Sequence, residues 1–148
     1  MSQYIDFYIK TKDNKYINLF DYSRNSAIYE YAEDYIECDM GRLLDINLIN
    51  TIINSLKEED SKYEPELNKL NNRINIVSNF NNSVEDKMEE IHSIENQIEE
   101  LKELHEQLKS AINFYQTLYD IVDNFKWNDE GSELWAGIEW NPNYKEEQ

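Results

Sequence analysis

The sequence predicts an α+β fold: a small antiparallel β-sheet, one short helix and a long projecting antiparallel two-helix coiled coil. Apolar residues alternate near both ends of the chain, which is typical of strands with one buried face. Between these ends, apolar residues recur in steps of three and four over more than four heptads, which indicates helices packed along a seam. Three glycines and two prolines in 148 residues leave few tight turns and favour long helices.

The first element is a predicted β-hairpin. Residues 4–9 and 16–20 both alternate, and the polar residues 12–15 between them form a turn signal. Ile5 and Phe7 then point to one face of the first strand, and Tyr4 and Tyr8 point to the other.

A short helix is predicted next. Ser23 or Ser26 can cap it, and residues 37–44 are expected to connect it onward, with Gly41 as the break. Its apolar face consists of Ile28, Tyr31, Ala32, Tyr35 and Ile36.

Residues 45–125 form the predicted helical hairpin. Asp45 caps the first arm, Ser83 caps the second, and a polar turn at 81–83 joins them. The seam of the first arm comprises Ile46, Ile49, Ile53, Leu56, Tyr63, Leu67, Leu70, Ile74 and Val77. The seam of the second arm comprises Ile91, Ile94, Ile98, Leu101, Leu108, Ile112, Tyr115, Tyr119 and Val122.

One polar residue interrupts each seam. If the chain folds back at 81–83, residues whose numbers sum to about 164 oppose each other, so Asp60 and His105 should meet. We interpret them as a structural polar pair that fixes the register, as buried polar residues do in coiled coils; the alternative is a pH-sensitive latch. Pro65 predicts a kink or a division into two nearly collinear helices.

The hairpin base and a closing strand complete a single domain, 1–148. Residues 132–141 alternate again and are expected to join the N-terminal hairpin in one sheet. The arms are roughly 50–60 Å long at about 1.5 Å per residue, so they should project or pack on another copy. The apolar residues expected to cover the sheet near the base are Leu48, Ile52, Phe114, Leu118, Ile121 and Phe125.

The net charge of the chain excludes some classes of binding partner. The chain has 31 acidic and 14 basic residues, a net charge of −17, and residues 83–148 carry most of the excess. This charge repels nucleic acid and anionic membranes and attracts basic protein surfaces. Its alternative role is solubility alone. One cysteine, no apolar run of membrane-spanning length and no basic, apolar leader predict a cytoplasmic protein.

The sequence lacks recognisable catalytic or ligand motifs. No Cys or His spacing is typical of a metal site, and no glycine-rich loop precedes a helix. The acidic stretch 123–131 does not match a calcium loop, and Cys38 has no evident catalytic partner. We therefore predict a protein that is not an enzyme and that needs no cofactor or metal.

Two surfaces are candidates for partner binding. The first is a run of nine acids in the second arm, with Lys87, Lys102 and Lys109 among them; the alternative is that this run is only an ordinary solvated coiled-coil exterior. Its candidate residues are Glu89, Glu95, Glu99, Glu103 and Glu106. The second is aromatic: Tyr4, Tyr8 and Trp135 are interface candidates if their sheet face is open, whereas the 26–36 helix covers them in the alternative arrangement.

The order of parts resembles small acidic accessory proteins of phages of low-GC Gram-positive bacteria. The resemblance lies in the opening strand Tyr-Ile-Asp-Phe-Tyr-Ile-Lys, the acidic helical hairpin and the closing strand Leu-Trp-Ala-Gly-Ile-Glu-Trp. It implies an anti-defence protein acting in the host cytosol, a class that includes anti-CRISPR inhibitors resembling acidic DNA mimics. It is architectural and transfers no functional residue.

The predicted function is therefore a non-catalytic inhibitor that engages a basic, nucleic-acid-handling defence protein and does not bind nucleic acid or membrane itself. The alternative is a structural or assembly protein that self-associates through its coiled coil, for example as a homodimer.

Overall fold

The computed structural model describes residues 3–79, 83–128 and 130–143. The elements confirm the predicted α+β class. In chain order they are β1 (Tyr4–Lys10), β2 (Tyr16–Ser23), α1 (Ala27–Glu30), β3 (Gly41–Leu43), α2 (Ile46–Asp60), α3 (Tyr63–Asn79), α4 (Val84–Asn128) and β4 (Glu133–Ile138).

The sheet is antiparallel, with strand order β2-β1-β4-β3. Both the N-terminal hairpin and its pairing with the closing strand are confirmed, although β4 is shorter than the predicted 132–141. Glu139 ends the strand because it adopts a positive φ of 51°, which turns the chain before Trp140. The prediction that Trp140 continues the alternation of β4 is therefore wrong.

The predicted connection 37–44 is also wrong in part. Gly41 does not break the chain there but begins β3, with Gly41 opposite Gly137 and Leu43 opposite Trp135. Three residues are too few to show an alternating pattern, so pairing with β4 defines this edge strand rather than its own sequence.

The short helix is capped by Ser26, whose Oγ accepts a hydrogen bond from the Tyr29 backbone N–H at 3.2 Å. It ends at Glu30, much earlier than predicted. Hydrogen-bonded turns continue to Ile36, for example from the Ile36 N–H to the Ala32 carbonyl, so the predicted apolar face persists without a regular helix.

The first arm is divided rather than kinked. α2 ends at Asp60 and α3 begins at Tyr63, so the break precedes Pro65. Proline is tolerated there because backbone N–H groups in the first turn of a helix have no carbonyl partner within it.

The second arm, α4, is one helix of 45 residues. Ser83 caps it as predicted, since its Oγ accepts from the Asp86 N–H. The other residues of the predicted 81–83 turn lie outside the described part of the chain.

The chain forms two compact units. The sheet unit comprises residues 1–56 and 111–148, and the helical unit comprises residues 57–110. The predicted single domain requires that these two units fold together, and it stays a prediction.

The core of the sheet unit lies between one sheet face and helical residues. Phe7 is fully buried, and its ring lies 5.0 Å from Phe114 and 6.3 Å from Tyr115. Tyr115 also donates a hydrogen bond of 2.5 Å to the Ile28 carbonyl. Aromatic residues of α4 therefore cover the sheet, as the widened apolar stripe predicts.

In the helical unit, burial follows the predicted seams. The residues that are buried or half-buried are almost all seam positions, and between them the exterior is exposed. Coiled-coil pairing itself stays a prediction. The seam residues protected from solvent are Asp60, Tyr63, Leu67, Leu70, Ile74, Val77, Ile91, Ile94, Ile98, Leu101, His105 and Leu108.

Candidate binding surfaces

The two polar seam residues are in contact. His105 Nδ1 lies 2.6 Å from Asp60 Oδ1, and both side chains are about one-fifth exposed. A proton on Nδ1 is donated to the carboxylate in this arrangement. The matched interruptions of the two seams thus meet, and their role in fixing the register stays a prediction.

Tyr63 completes this contact from the first turn of α3. Its ring is stacked on the imidazole of His105, with centroids 3.9 Å apart and planes 3° apart. Because α2 ends at Asp60, the break of the first arm places Asp60 and Tyr63 on His105 together.

A cleft of about 270 Å³ opens beside this stack, entirely within the helical unit. Its apolar wall comes mainly from α4, and its charged groups come mainly from the first arm. The lining residues are Glu59, Asp60, Lys62, Tyr63, Glu66, Leu101, Leu104, His105 and Leu108. We refer to it as the Tyr63 cleft.

Sequence reasoning missed the Tyr63 cleft. One signal could have indicated it: Leu104 is apolar but lies outside the seam, and its side chain is 43 % exposed. Leu104 lies next to the polar pair and across from the break before Pro65. An exposed apolar residue at such a position indicates that the helices do not pack over it.

The carboxylates of α4 form an exposed surface. At 3.6 residues per turn, seven of them lie on the side of the helix opposite the seam, and all seven are exposed. We refer to this group as the acidic face. It comprises Glu85, Asp86, Glu89, Glu99, Glu100, Glu103 and Glu106. The predicted candidate Glu95, seven residues before Lys102, instead lies beside the seam on the same flank as that lysine.

Few cations neutralise the acidic face. Among the described residues, none of its seven carboxylates has an ion-pair partner; the one such pair on this part of α4 joins Glu90 to Arg73 at 4.0 Å. Lys87, Lys102 and Lys109 are on the seam side of the helix by the same helical geometry. The acidic face thus presents uncompensated negative charge to solvent.

Two of the three aromatic candidates, Tyr8 and Trp135, belong to a packed cluster around Trp140 rather than to an open surface. Tyr8 is 4 % exposed, so its assignment as a partner-binding residue is wrong. Trp140 covers it, with ring centroids 5.7 Å apart, and Trp135 lies 6.1 Å from Trp140. Of the three candidates, Tyr4 remains accessible at 42 %, and Trp135 is half-buried.

Two glycines make room for this cover. A Cβ atom on Gly41 or Gly137 would lie 2.5 Å from the indole of Trp140, and the two glycines are cross-strand partners. Trp140 therefore packs directly on the backbone of these glycines. This face of the sheet is neither open nor covered by the predicted 26–36 helix, because Trp140 covers it.

Cys38 lies near two carboxylates. Its Sγ is 3.7 Å from Glu139 Oε2, and Cys38, Asp39 and Glu139 form an exposed group of possible metal ligands. Desolvation, followed by the charges of Asp39 and Glu139, raises the pKa of the Cys38 thiol. The protonated thiol is a weak nucleophile.

Comparisons with protein-family models, curated proteins and solved structures find no match to this chain. Within the described residues, no helix combines the length and apolar character needed to cross a membrane.

Proposed function

We propose that this protein is a non-catalytic inhibitor that binds a basic, nucleic-acid-handling protein through the acidic face of α4. The observation that carries the proposal is the set of seven exposed carboxylates opposite the seam, none with an ion-pair partner among the described residues.

The spacing of these carboxylates supports competition with nucleic acid. From Glu85 to Glu106 the helix rises about 32 Å, so the acidic face carries roughly one charge per 4.5 Å. One strand of duplex DNA carries one phosphate per about 3.4 Å. The charge spacing of the acidic face is therefore comparable to that of a DNA strand. A basic protein surface that binds DNA phosphates can bind this rigid helix in their place.

An uncompensated acidic face also favours rapid encounter with basic surfaces, because long-range attraction raises association rates. For the phage-type setting, the expected target is a host defence protein whose basic groove holds nucleic acid. Occupying that groove inhibits the target without any chemical step.

Charge neutralisation on the acidic face tests the proposal. The face variant carries Glu89→Gln, Glu99→Gln, Glu103→Gln and Glu106→Gln. A matched control removes four exposed acids from the sheet unit, so its net charge is the same: Glu30→Gln, Glu33→Gln, Asp34→Asn and Glu37→Gln.

Wild type, face variant and control serve as baits in lysate of a low-GC Gram-positive bacterium. We expect wild type and control to retain basic nucleic-acid-binding proteins that the face variant loses. Those proteins should elute as salt rises, because screening weakens exposed charge pairs, and DNA should compete for them. Identical capture by all three baits, or capture resistant to high salt, would contradict the proposal.

One observation favours a second candidate function, self-association. Three apolar side chains near the end of α3 and the start of α4 are exposed: Ile76, Val84 and Met88. Exposed apolar groups of this kind occur at contacts between protein copies. Light scattering distinguishes the two candidates, since a monomer across concentration and salt supports the inhibitor and a salt-insensitive oligomer supports assembly.

A further inference from the structure

The Tyr63 cleft has the size of a subsite for one side chain. Its volume of about 270 Å³ is below the roughly 300–1,000 Å³ of pockets that enclose drug-sized ligands. It is also open to solvent along the exposed Leu104. A long side chain that enters from outside fits these dimensions better than an enclosed small molecule.

The lining selects an amphipathic cation. Leu101, Leu104 and Leu108 offer apolar contact, and the carboxylates of Glu59, Asp60 and Glu66 outnumber the single ammonium of Lys62. Among the described residues, no buried side-chain N or O lacks a hydrogen-bond partner. Recognition in this cleft therefore depends on apolar contact and charge rather than on an unpaired polar atom.

The rim carboxylates can exchange their present partners. Glu59 lies 3.0 Å from Lys62, and Glu66 lies 3.4 Å from Lys69. Both pairs are exposed contacts between residues three apart, which contribute about 0–1 kcal/mol, so an incoming cation displaces these lysines at small cost.

The cleft adjoins the acidic face. At 3.6 residues per turn, Leu104 lies next to Glu100 on the flank of α4, whereas Lys102 and Lys109 lie on the far side of the seam. A basic partner on the acidic face is thereby brought to the mouth of the cleft, and no lysine of α4 stands between them.

We infer that the Tyr63 cleft holds the side chain of an arginine from a basic protein partner. The methylene stem contacts the leucines, and the guanidinium pairs with Glu59 and Glu66. Arginine fits better than lysine because its planar group is weakly hydrated, packs on aromatic rings such as Tyr63 and binds carboxylates with two hydrogen bonds. The inference rests on the proposed function, which supplies the basic partner.

An NMR titration of the full chain tests the cleft without that partner. The probe is the blocked pentapeptide Gly-Gly-Arg-Gly-Gly, and its citrulline analogue, which has the same shape and no charge, is the matched control ligand. We expect saturable chemical-shift changes at Leu101, Leu104 and His105 with the arginine peptide and none with the citrulline peptide at the same concentrations.

Two exposed apolar residues provide matched variants. Leu104→Ala removes part of the cleft wall and should weaken binding of the arginine peptide about fivefold, the loss expected for a partly buried leucine. Ile76→Ala, at a 55 % exposed position of α3, should leave the affinity unchanged. Glu66→Gln, which keeps the side-chain shape, should weaken the arginine peptide and should not affect the citrulline peptide.

Three results would overturn the inference: equal shifts with both peptides, shifts along the acidic face that spare the cleft, or equal affinities of the Leu104→Ala and Ile76→Ala variants. This outcome is independent of the lysate capture. A cleft that does not bind the peptide leaves face-dependent capture intact, and capture that is not face-dependent leaves an arginine-binding cleft intact.

Discussion

The sheet unit and the helical unit differ in how they protect apolar surface. Of the 23 buried core residues among the described positions, 20 lie in the sheet unit and three, Val77, Ile94 and Leu108, lie in the helical unit. The sheet unit is covered on both faces, by α4 aromatics and by Trp140. The helical unit protects one seam and exposes the rest, so most of its surface is available for partners.

Because of this difference, the residues that stabilise the fold and the candidate partner-binding residues lie in different units. Burial of apolar area dominates the free energy of folding, and it is concentrated in the sheet unit. The acidic face and the Tyr63 cleft lie where burial is least. Changes in the sheet unit should therefore alter stability, and changes on the surface of the helical unit should alter binding.

The largest effect is expected from Phe7→Ala. Phe7 is fully buried between Phe114 and Tyr115, and truncating such a ring costs about 3–5 kcal/mol. Urea unfolding followed by circular dichroism measures the loss. Ile76→Ala in the helical unit is the control, with a change within about 0.5 kcal/mol. Similar losses for the two variants would contradict the contrast between the units.

Gly137→Ala tests the second cover of the sheet. The added methyl group would lie 2.5 Å from the Trp140 ring, so Trp140 has to move, at a cost of about 1–3 kcal/mol. Near-ultraviolet circular dichroism should show the displaced indole. In a Trp140→Leu background the same glycine change should cost less. Strict additivity of the two changes would show that Trp140 does not rest on this glycine.

The sequence predicted the regular parts of both units. Alternation identified β1, β2 and β4, and heptad spacing identified both arms and the Asp60–His105 contact, because side chains repeat on a fixed period there. β3 was missed because its strand character depends on pairing with β4. The cover by Trp140 was missed because it depends on the positive φ of Glu139, which no period reveals.

Removing one partner of the polar pair should destabilise the helical unit. Asp60→Ala leaves His105 Nδ1 half-buried without its acceptor, at a cost of about 1–3 kcal/mol. The double change Asp60→Leu and His105→Leu should restore or exceed wild-type stability, since apolar pairs often replace buried polar pairs without loss. Thermal unfolding of Asp60→Leu, His105→Leu and the double variant completes a double-mutant cycle. A coupling energy near zero would show that the interaction between the two side chains does not contribute to stability.

The smallest expected effect is a gain, from Asp6→Asn in the sheet unit. Asp6 lies directly opposite Asp21 in the β1–β2 ladder, and like charges in such pairs are destabilising by up to about 1 kcal/mol. Desolvation first, and then Asp21, raise the pKa of the Asp6 carboxyl above its usual 3.8, although Asn18 opposes the shift.

The sign of this pH dependence follows from linkage. A raised folded-state pKa means that the folded protein binds the proton more tightly, so the favourable contribution of Asp6 is complete below pH 3.8 and is lost as pH rises through the raised value. Asp6→Asn removes that loss. Its gain in unfolding free energy should therefore appear at pH 7 and vanish in acid, where wild-type Asp6 is also neutral. An equal gain at both pH values would assign the effect to something other than the carboxylate pair.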